Sequence, residues 1–271
     1  TYLNPKLAIS WAIDKQTQLR LRAEHEVGQV GFGSYVTYSE NTSGQIRLGN
    51  PGLRPNRAYL GEAVLQRSFW TGGDLSLTVR PRLLRDVADV AAVRTPAGLV
   101  GAISNIGSGR QTDVIAGLTL PLKNLGVTGG TLKGAFTWRR TRVKDPTTGE
   151  MRPFSTLNPW EGSFTITQDL PRLKSTFVIN AQNLGAMSRQ YRSNETRFDY
   201  TTPNYINLQY NWRPNPKLVV TLQLVENVFS RERRRERVIY AGPRSLGVVN
   251  ISEERSAEME PFVMFRIRKT L

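Results

Sequence analysis

The feature that most constrains this chain is alternation. Near its end, Leu218, Val220, Leu222 and Leu224 form an apolar row, while Val219, Thr221, Gln223 and Val225 form a mixed one. The last segment repeats this, with Val263, Phe265, Ile267 and Leu271 set against Met264, Arg266, Arg268 and Thr270. A period of two puts successive side chains on opposite faces, so the spacing predicts a strand hairpin, 216–229 against 260–271. An aliphatic row backed by polar and charged residues suits a barrel wall between lipid and a wet interior.

The pattern recurs along the chain. Leu7, Ile9, Trp11 and Ile13 lead through a turn at 14–17 to Leu19, Leu21 and Ala23, which alternate with Arg20, Arg22, Glu24 and Glu26. An Arg or Lys facing mid-bilayer costs about 2–4 kcal/mol, so this charged row is assigned to the lumen. After a long loop at 27–56 come Tyr59, Gly61, Ala63, Leu65 and Phe69. A tight Gly72-Gly73-Asp74 turn follows, then Leu75, Leu77 and Val79 opposite Ser76, Thr78, Arg80 and Arg82. Beyond a loop at 83–109, Val114 to Leu122 and then Leu132, Gly134, Phe136 and Trp138, opposite Arg139, form the next pair. Loops at 142–158, 183–203 and 230–259 separate the remaining hairpins. The reading gives about eleven antiparallel strands in which short and long connections alternate, the habit of barrels with short periplasmic turns and longer external loops. Trp138 and Trp160 sit beside long loops, while Trp11, Trp70 and Trp212 sit near short turns, as in two interfacial aromatic belts.

Composition is compatible with this. Hydrophobic residues make up 39% of 271 and mean hydropathy is −0.38. No stretch approaches the roughly 18 apolar residues of a membrane helix, but barrel strands do not need one. Cysteine is absent, which excludes disulfides and Cys-based metal sites. The net charge of +15 raises the possibility of a nucleic-acid binder. The basic residues are instead spread over alternating strands and loops with no binding module, so no nucleic-acid partner is expected; outer-membrane lipid, lipopolysaccharide phosphates or an anionic substrate fit better.

The strand count carries an expectation about completeness. With the C-terminus on the periplasmic side, the first of eleven strands runs inward from outside. An even-stranded barrel with both termini periplasmic cannot be built that way. The chain opens Thr1-Tyr2-Leu3 without initiator Met or signal peptide. We therefore expect residues 1–271 to be the C-terminal portion of one transmembrane barrel domain, with the other strands and any plug supplied elsewhere. A lumen closed by this chain alone would contradict that.

No catalytic constellation is legible, and no cofactor is called for. His25, the sole histidine, lies on the apolar row near the outer end of its strand and reads as an interfacial side chain. The Gly31-Phe32-Gly33 and Gly107-Ser108-Gly109 stretches are too short for phosphate loops, and no carboxylate cluster suggests a metal cage. The strongest charge feature is the run 231–237, whose Arg231, Arg233, Arg234, Arg235 and Arg237, with Arg244, are substrate-contact candidates. Such a loop either touches lipopolysaccharide phosphates or forms an electropositive mouth for an anionic substrate. The lumen-facing candidates are Arg20, Arg22, Glu24, Glu26, Arg80, Arg82, Arg139 and Arg266. These arginines could continue the substrate path, bind a plug, or pair across the wall with Glu24 and Glu26.

Three stretches carry a family resemblance. Asn50-Pro51-Gly52-Leu53-Arg54-Pro55-Asn56 is similar to the Asn-Pro-x-Leu-Lys/Arg-Pro-Glu that precedes a strand in TonB-dependent receptors, with Asn56 in place of the Glu. Asn105-Ile106-Gly107 to Leu118 resembles their Asn-x-Gly…Gly-x-Glu, with Asp113 and Ile115 where Gly and Glu are usual. Val225-Glu226-Asn227-Val228-Phe229 and Gly242-Pro243-Arg244 match the penultimate strand ending and the Gly-x-Pro-Arg after it. The final strand, ending on an apolar residue, also looks like that of bacterial outer-membrane proteins. The resemblance implies the C-terminal half of a 22-stranded barrel in the outer membrane of a Gram-negative bacterium. It implies uptake of a scarce nutrient (siderophore, cobalamin or glycan), gated by a plug through which TonB acts. The second reading is a barrel that anchors or scaffolds a surface complex without transporting; a passive porin is the third.

Overall fold

A computed structural model describes residues 3–36, 38–40, 45–47, 49–95, 98–155, 157–186, 189–192, 194–201, 205–225, 232–258 and 260–269. Eleven long strands follow one another in a single antiparallel wall. They are β1 (Lys6–Ala12), β2 (Thr17–Val27), β3 (Arg57–Phe69), β4 (Gly73–Arg85), β5 (Gly109–Pro121) and β6 (Gly130–Lys144). The wall continues through β7 (Trp160–Leu170), β8 (Ser175–Ala186), β9 (Tyr205–Asn215), β10 (Leu218–Val225) and β11 (Phe262–Lys269). Each strand pairs with its sequence neighbours, and among the described residues no ladder joins β1 to β11.

Register aligns the apolar rows. One row runs through Leu21, Ala63, Val79, Val114, Trp138 and Trp160, each directly opposite the next. On β4 the outward column Leu75, Leu77, Val79, Pro81, Leu83 covers eight residue steps, about 27 Å of strand. Its members stay open, Leu77 at 44% and Leu83 at 55% exposure, as do Ile9, Leu222, Phe265 and Ile267 on other strands. An apolar band of this height, continuous over the sheet, is a lipid-facing surface. All five tryptophans are exposed. Trp138 pairs with Trp160 at the long-loop ends of β6 and β7, and Phe136 stacks on Trp160 with ring centroids 6.3 Å apart.

The long connections are not plain loops, and this departs from the sequence reading. The segment 83–109 contains a hairpin of Ala88–Thr95 with Gly98–Asn105. In 142–158, β6 runs on to Lys144 and Met151–Arg152 folds back onto it. The segments 183–203 and 230–259 combine as a four-stranded sheet in the order Gln190–Tyr191, Glu195–Thr201, Glu232–Tyr240, Val249–Glu258. Charges occupy both faces of Glu232–Tyr240, so apolar alternation cannot reveal it. A further hairpin, Tyr38–Glu40 with Gln45–Arg47, lies inside the 27–56 loop, its three-residue strands too short to show a period.

The main apolar cluster lies at the long-loop rim. Ala58, Leu84 and Val143, inward residues at the ends of β3, β4 and β6, pack with Val87 and Phe154 from the loops. The loops at 83–109 and 142–158 thus fold inward over the mouth. Gly109 is confined there, since a Cβ would come within 2.9 Å of the Phe154 ring and 3.0 Å of Val87.

Candidate functional site

The inner wall carries two chemistries. From β2 to β7 it is ionic. Arg22 pairs with Glu24 at 3.2 Å and with Glu62 at 3.1 Å, and Arg80 donates to the other Glu62 oxygen at 2.7 Å. Arg82 lies 3.4 Å from Glu26 and 3.9 Å from Asp113, and Arg139 reaches Asp113 at 3.0 Å and Glu161 at 3.3 Å. Arg20 donates to Gln66, which donates to Asp74. From β7 to β10 the mid-wall hydrogen bonds join neutral groups: Asn180 donates to Thr165, Thr221 to Asn211, and Gln223 to Gln209. Of the lumenal candidates, the structure gathers Arg20, Arg22, Glu24, Glu26, Arg80, Arg82 and Arg139 on one side. Arg266 stands apart on β11, its guanidinium against the Met264 sulfur at 3.9 Å. Sequence reading did not single out Glu62 or Asp113 as partners, although both lie on inward positions of their strands.

Above the wall, the loops are locked together by a buried ionic quartet. Arg152 reaches Asp145 through Nε at 2.6 Å and Asp89 through Nη1 at 2.8 Å. Arg244 reaches the same Asp145 Oδ2 at 2.6 Å from ninety-nine residues away. Tyr191 lies beneath both guanidiniums, its ring centroid 4.8 Å from Arg152 and 5.5 Å from Arg244. Ser155 adds a backbone N–H to Asp89, and Arg244 Nε donates to the Arg192 carbonyl. Burial pushes the Asp145 carboxyl up. The hydrogen bond from Arg244, the backbone N–H groups of Thr147 and Thr148 and the Arg244 charge outweigh burial and hold it below the usual carboxylate range. Four loops, 83–109, 142–158, 183–203 and 230–259, therefore meet at one charge-balanced point.

Two of the sequence motifs also meet. The Asn105 side chain accepts from the Arg54 backbone N–H at 2.8 Å and donates to the Arg54 carbonyl at 2.9 Å, imitating one rung of a sheet. It also donates to the Asp86 carbonyl at 2.8 Å, while Asp86 pairs with Arg54 and Arg57. Asn50 donates to the Ile103 carbonyl and closes its own turn by accepting from Gly52 N–H. Leu53 is buried at 5% exposure. Here the motif around 50–56 staples the first long connection to the hairpin of the second.

The basic run divides. Arg231 lies outside the described residues, as do 226–229 of the strand-ending motif, and Arg233 sits on the strand Glu232–Tyr240 opposite Ala257. Arg234 pairs with Glu254 at 2.7 Å, and Arg235 stands opposite Arg255. Arg237 pairs with Glu195 at 2.6 Å, which Arg192 also contacts. Arg244 is in the quartet. His25 lies on the outer face beside Tyr59, with ring centroids 5.0 Å apart. Among the described residues no group of three or more His, Cys, Asp or Glu side chains could hold a metal ion.

No protein-family model matches the sequence, and no curated protein matches it. Solved structures do. The chain is similar to a structure described as "Copper transporter OprC", with a TM-score of 0.62 and 10% identity over 97% of this chain and 39% of that one. It is similar to the ferric enterobactin receptor PfeA in complex with BCV-L6, with a TM-score of 0.57 and 14% identity over 97% of this chain and 40% of that one. A mutant of the Pseudomonas aeruginosa ferric enterobactin receptor in complex with enterobactin gives 0.55 and 13% over 93% and 39%. A barrel wall asks only for apolar residues outside and polar ones inside, so shape outlasts identity. The chain spans about two-fifths of the length of these proteins. It therefore has the barrel fold of TonB-dependent receptors, over a length consistent with their C-terminal half.

Proposed function

We propose that residues 1–271 are the C-terminal barrel portion of a TonB-dependent receptor in a bacterial outer membrane, taking up a scarce nutrient of the siderophore, cobalamin or glycan class. The observation that carries this reading is the joining of four long connections into one structured cap at the mouth of a receptor-like wall. The remaining strands and a plug come from the same polypeptide or a second chain, and TonB acts through the plug. An anionic substrate would meet the outer sheet at the half-exposed Arg234 and Arg237, while Arg152 and Arg244 hold the loops beneath it. The ionic side of the inner wall, Arg22 to Glu161, would face the plug. One feature favours the second reading, a non-transporting barrel that anchors a surface complex: most charges of the cap are matched internally, as a rigid docking platform requires.

The test is accumulation of labelled ferric siderophores, cobalamin and oligosaccharides by cells with and without the gene, before and after loss of the proton-motive force. Energy-dependent accumulation lost with the gene supports uptake. Unchanged accumulation of every class, together with recovery of a stoichiometric external partner, would transfer the assignment to the scaffold.

A further inference from the structure

We propose that the lipid-facing side of β4, β5 and β6, at the long-loop rim, is a binding site for the phosphorylated headgroup of an outer-leaflet lipid. Register places four arginines on this outer face. Arg110 stands directly opposite Arg142, and Arg140 opposite Thr112. Leu83 faces Arg110 from the other side, and Arg85 lies one outward step beyond it on β4. All four arginines are exposed. They crown the column Leu75 to Leu83, with Trp138 one outward step below Arg140, so they occupy the depth at which acyl chains give way to headgroups.

Their electrostatics differ from those of the inner-wall arginines described above, Arg20 and Arg266 excepted. Arg22, Arg80, Arg82 and Arg139 each contact a carboxylate. Arg85, Arg110, Arg140 and Arg142 have no carboxylate within ion-pair distance among the described residues. Like charges directly opposite one another on adjacent strands are unfavourable unless an anion lies between them. Arginine forks match phosphate oxygens bidentately. The surroundings select a lipid over free phosphate. Tyr59, Leu83, Arg85, Arg110, Arg142 and Met151 line an open groove of about 430 Å³. Its apolar members continue into the acyl-facing band, so one ligand can satisfy both parts only if it carries phosphate and hydrocarbon together. In a bacterial outer membrane, lipid A has that chemistry.

The inference rests on the wall facing lipid and not on nutrient uptake; failed uptake in the assay above would leave it standing. The test uses the full-length protein in detergent, titrated with bisphosphorylated lipid A, with its phosphate-free analogue, and with inorganic phosphate as competitor. We expect the phosphorylated lipid to bind at least tenfold more tightly than the analogue. R110Q/R142Q should abolish that preference, and R67Q, an outward arginine at the opposite rim, should leave it intact. If the double variant does not assemble into heat-modifiable barrel, R110Q and R142Q singly are each expected to weaken binding about threefold. Equal binding of the phosphate-free analogue, unchanged binding by the Gln variants, or full displacement by millimolar inorganic phosphate would each overturn the proposal.

Discussion

Replacing Asp145 by asparagine (D145N) tests whether the external loops are one unit. The carboxylate is 1% exposed, and its two guanidinium partners, Arg152 and Arg244, are 6% and 7% exposed. With Asp89 they balance two positive against two negative charges. The carbonyl of the substituted amide could still accept from Thr147 and Thr148, so the local turn is preserved while one charge is lost. Arg152 would then keep Asp89, and Arg244 would keep no carboxylate partner among the described residues. Breaking a buried pair from one side costs about 3–5 kcal/mol. The amide nitrogen would replace Oδ2 and set its own N–H donors against both guanidiniums, so nothing offsets this cost and the expected loss is at least about 3 kcal/mol. At about 1.4 kcal/mol per factor of ten, local opening should become roughly 150-fold more frequent. Native-state hydrogen exchange reads this directly. Amides of the Ala88–Thr95 hairpin and of Glu232–Tyr240 should lose protection together, while those of β6 between Leu132 and Trp138 stay unchanged. Protection unchanged within about threefold in both loop segments would refute the reasoning and assign loop cohesion to the Val143 and Phe154 cluster.

Three further outcomes follow from the same geometry. Because the folded-state value of Asp145 is lowered, its stabilisation is complete above the ordinary carboxylate range and is lost as pH falls through the lowered value. Loop protection, corrected for intrinsic exchange rates, should therefore be flat from neutrality to about pH 5 and fall only below about pH 4. Leu77→Arg, in the middle of the outward column, should destabilise the wall in vesicles by about 2–4 kcal/mol, whereas Thr78→Arg on the inner face should be far milder; equal effects in urea unfolding would contradict the face assignment. Asn105→Ala removes three hydrogen bonds to the backbone of Arg54 and Asp86. It should cost about 1–3 kcal/mol, read as increased proteolysis of both long connections it joins.

Much of the wall was legible because its code is local. Leu19, Leu21 and Ala23 against Arg20, Arg22 and Glu24 declare both a strand and its two faces within six residues, and the row from Leu21 to Trp160 falls where alternation put it. The sorting of Trp138 and Trp160 from Trp11, Trp70 and Trp212 needed only their distance from a long or short connection. Length and rhythm carried the rest, down to eleven strands joined by alternating short and long connections.

What alternation could not carry was anything settled between segments distant in sequence. Nothing near Arg244 indicates that its partner is Asp145, because the pair forms only when two loops meet over the mouth. The strands inside 183–203 and 230–259 escaped for a related reason: Arg234 with Glu254 and Arg237 with Glu195 hold them by charge pairs across strands, and such pairs leave no apolar period. Arg110, Arg140 and Arg142 show the remaining limit. One-dimensional pattern marks each as basic and, by parity with Val114 and Trp138, as outward, but only strand register sets Arg110 opposite Arg142 and leaves them without a carboxylate there. Side-chain direction along a strand is a property of neighbouring residues, so the sequence by itself determines it; side-chain partnership depends on where the chain returns, and only the tertiary structure decides that.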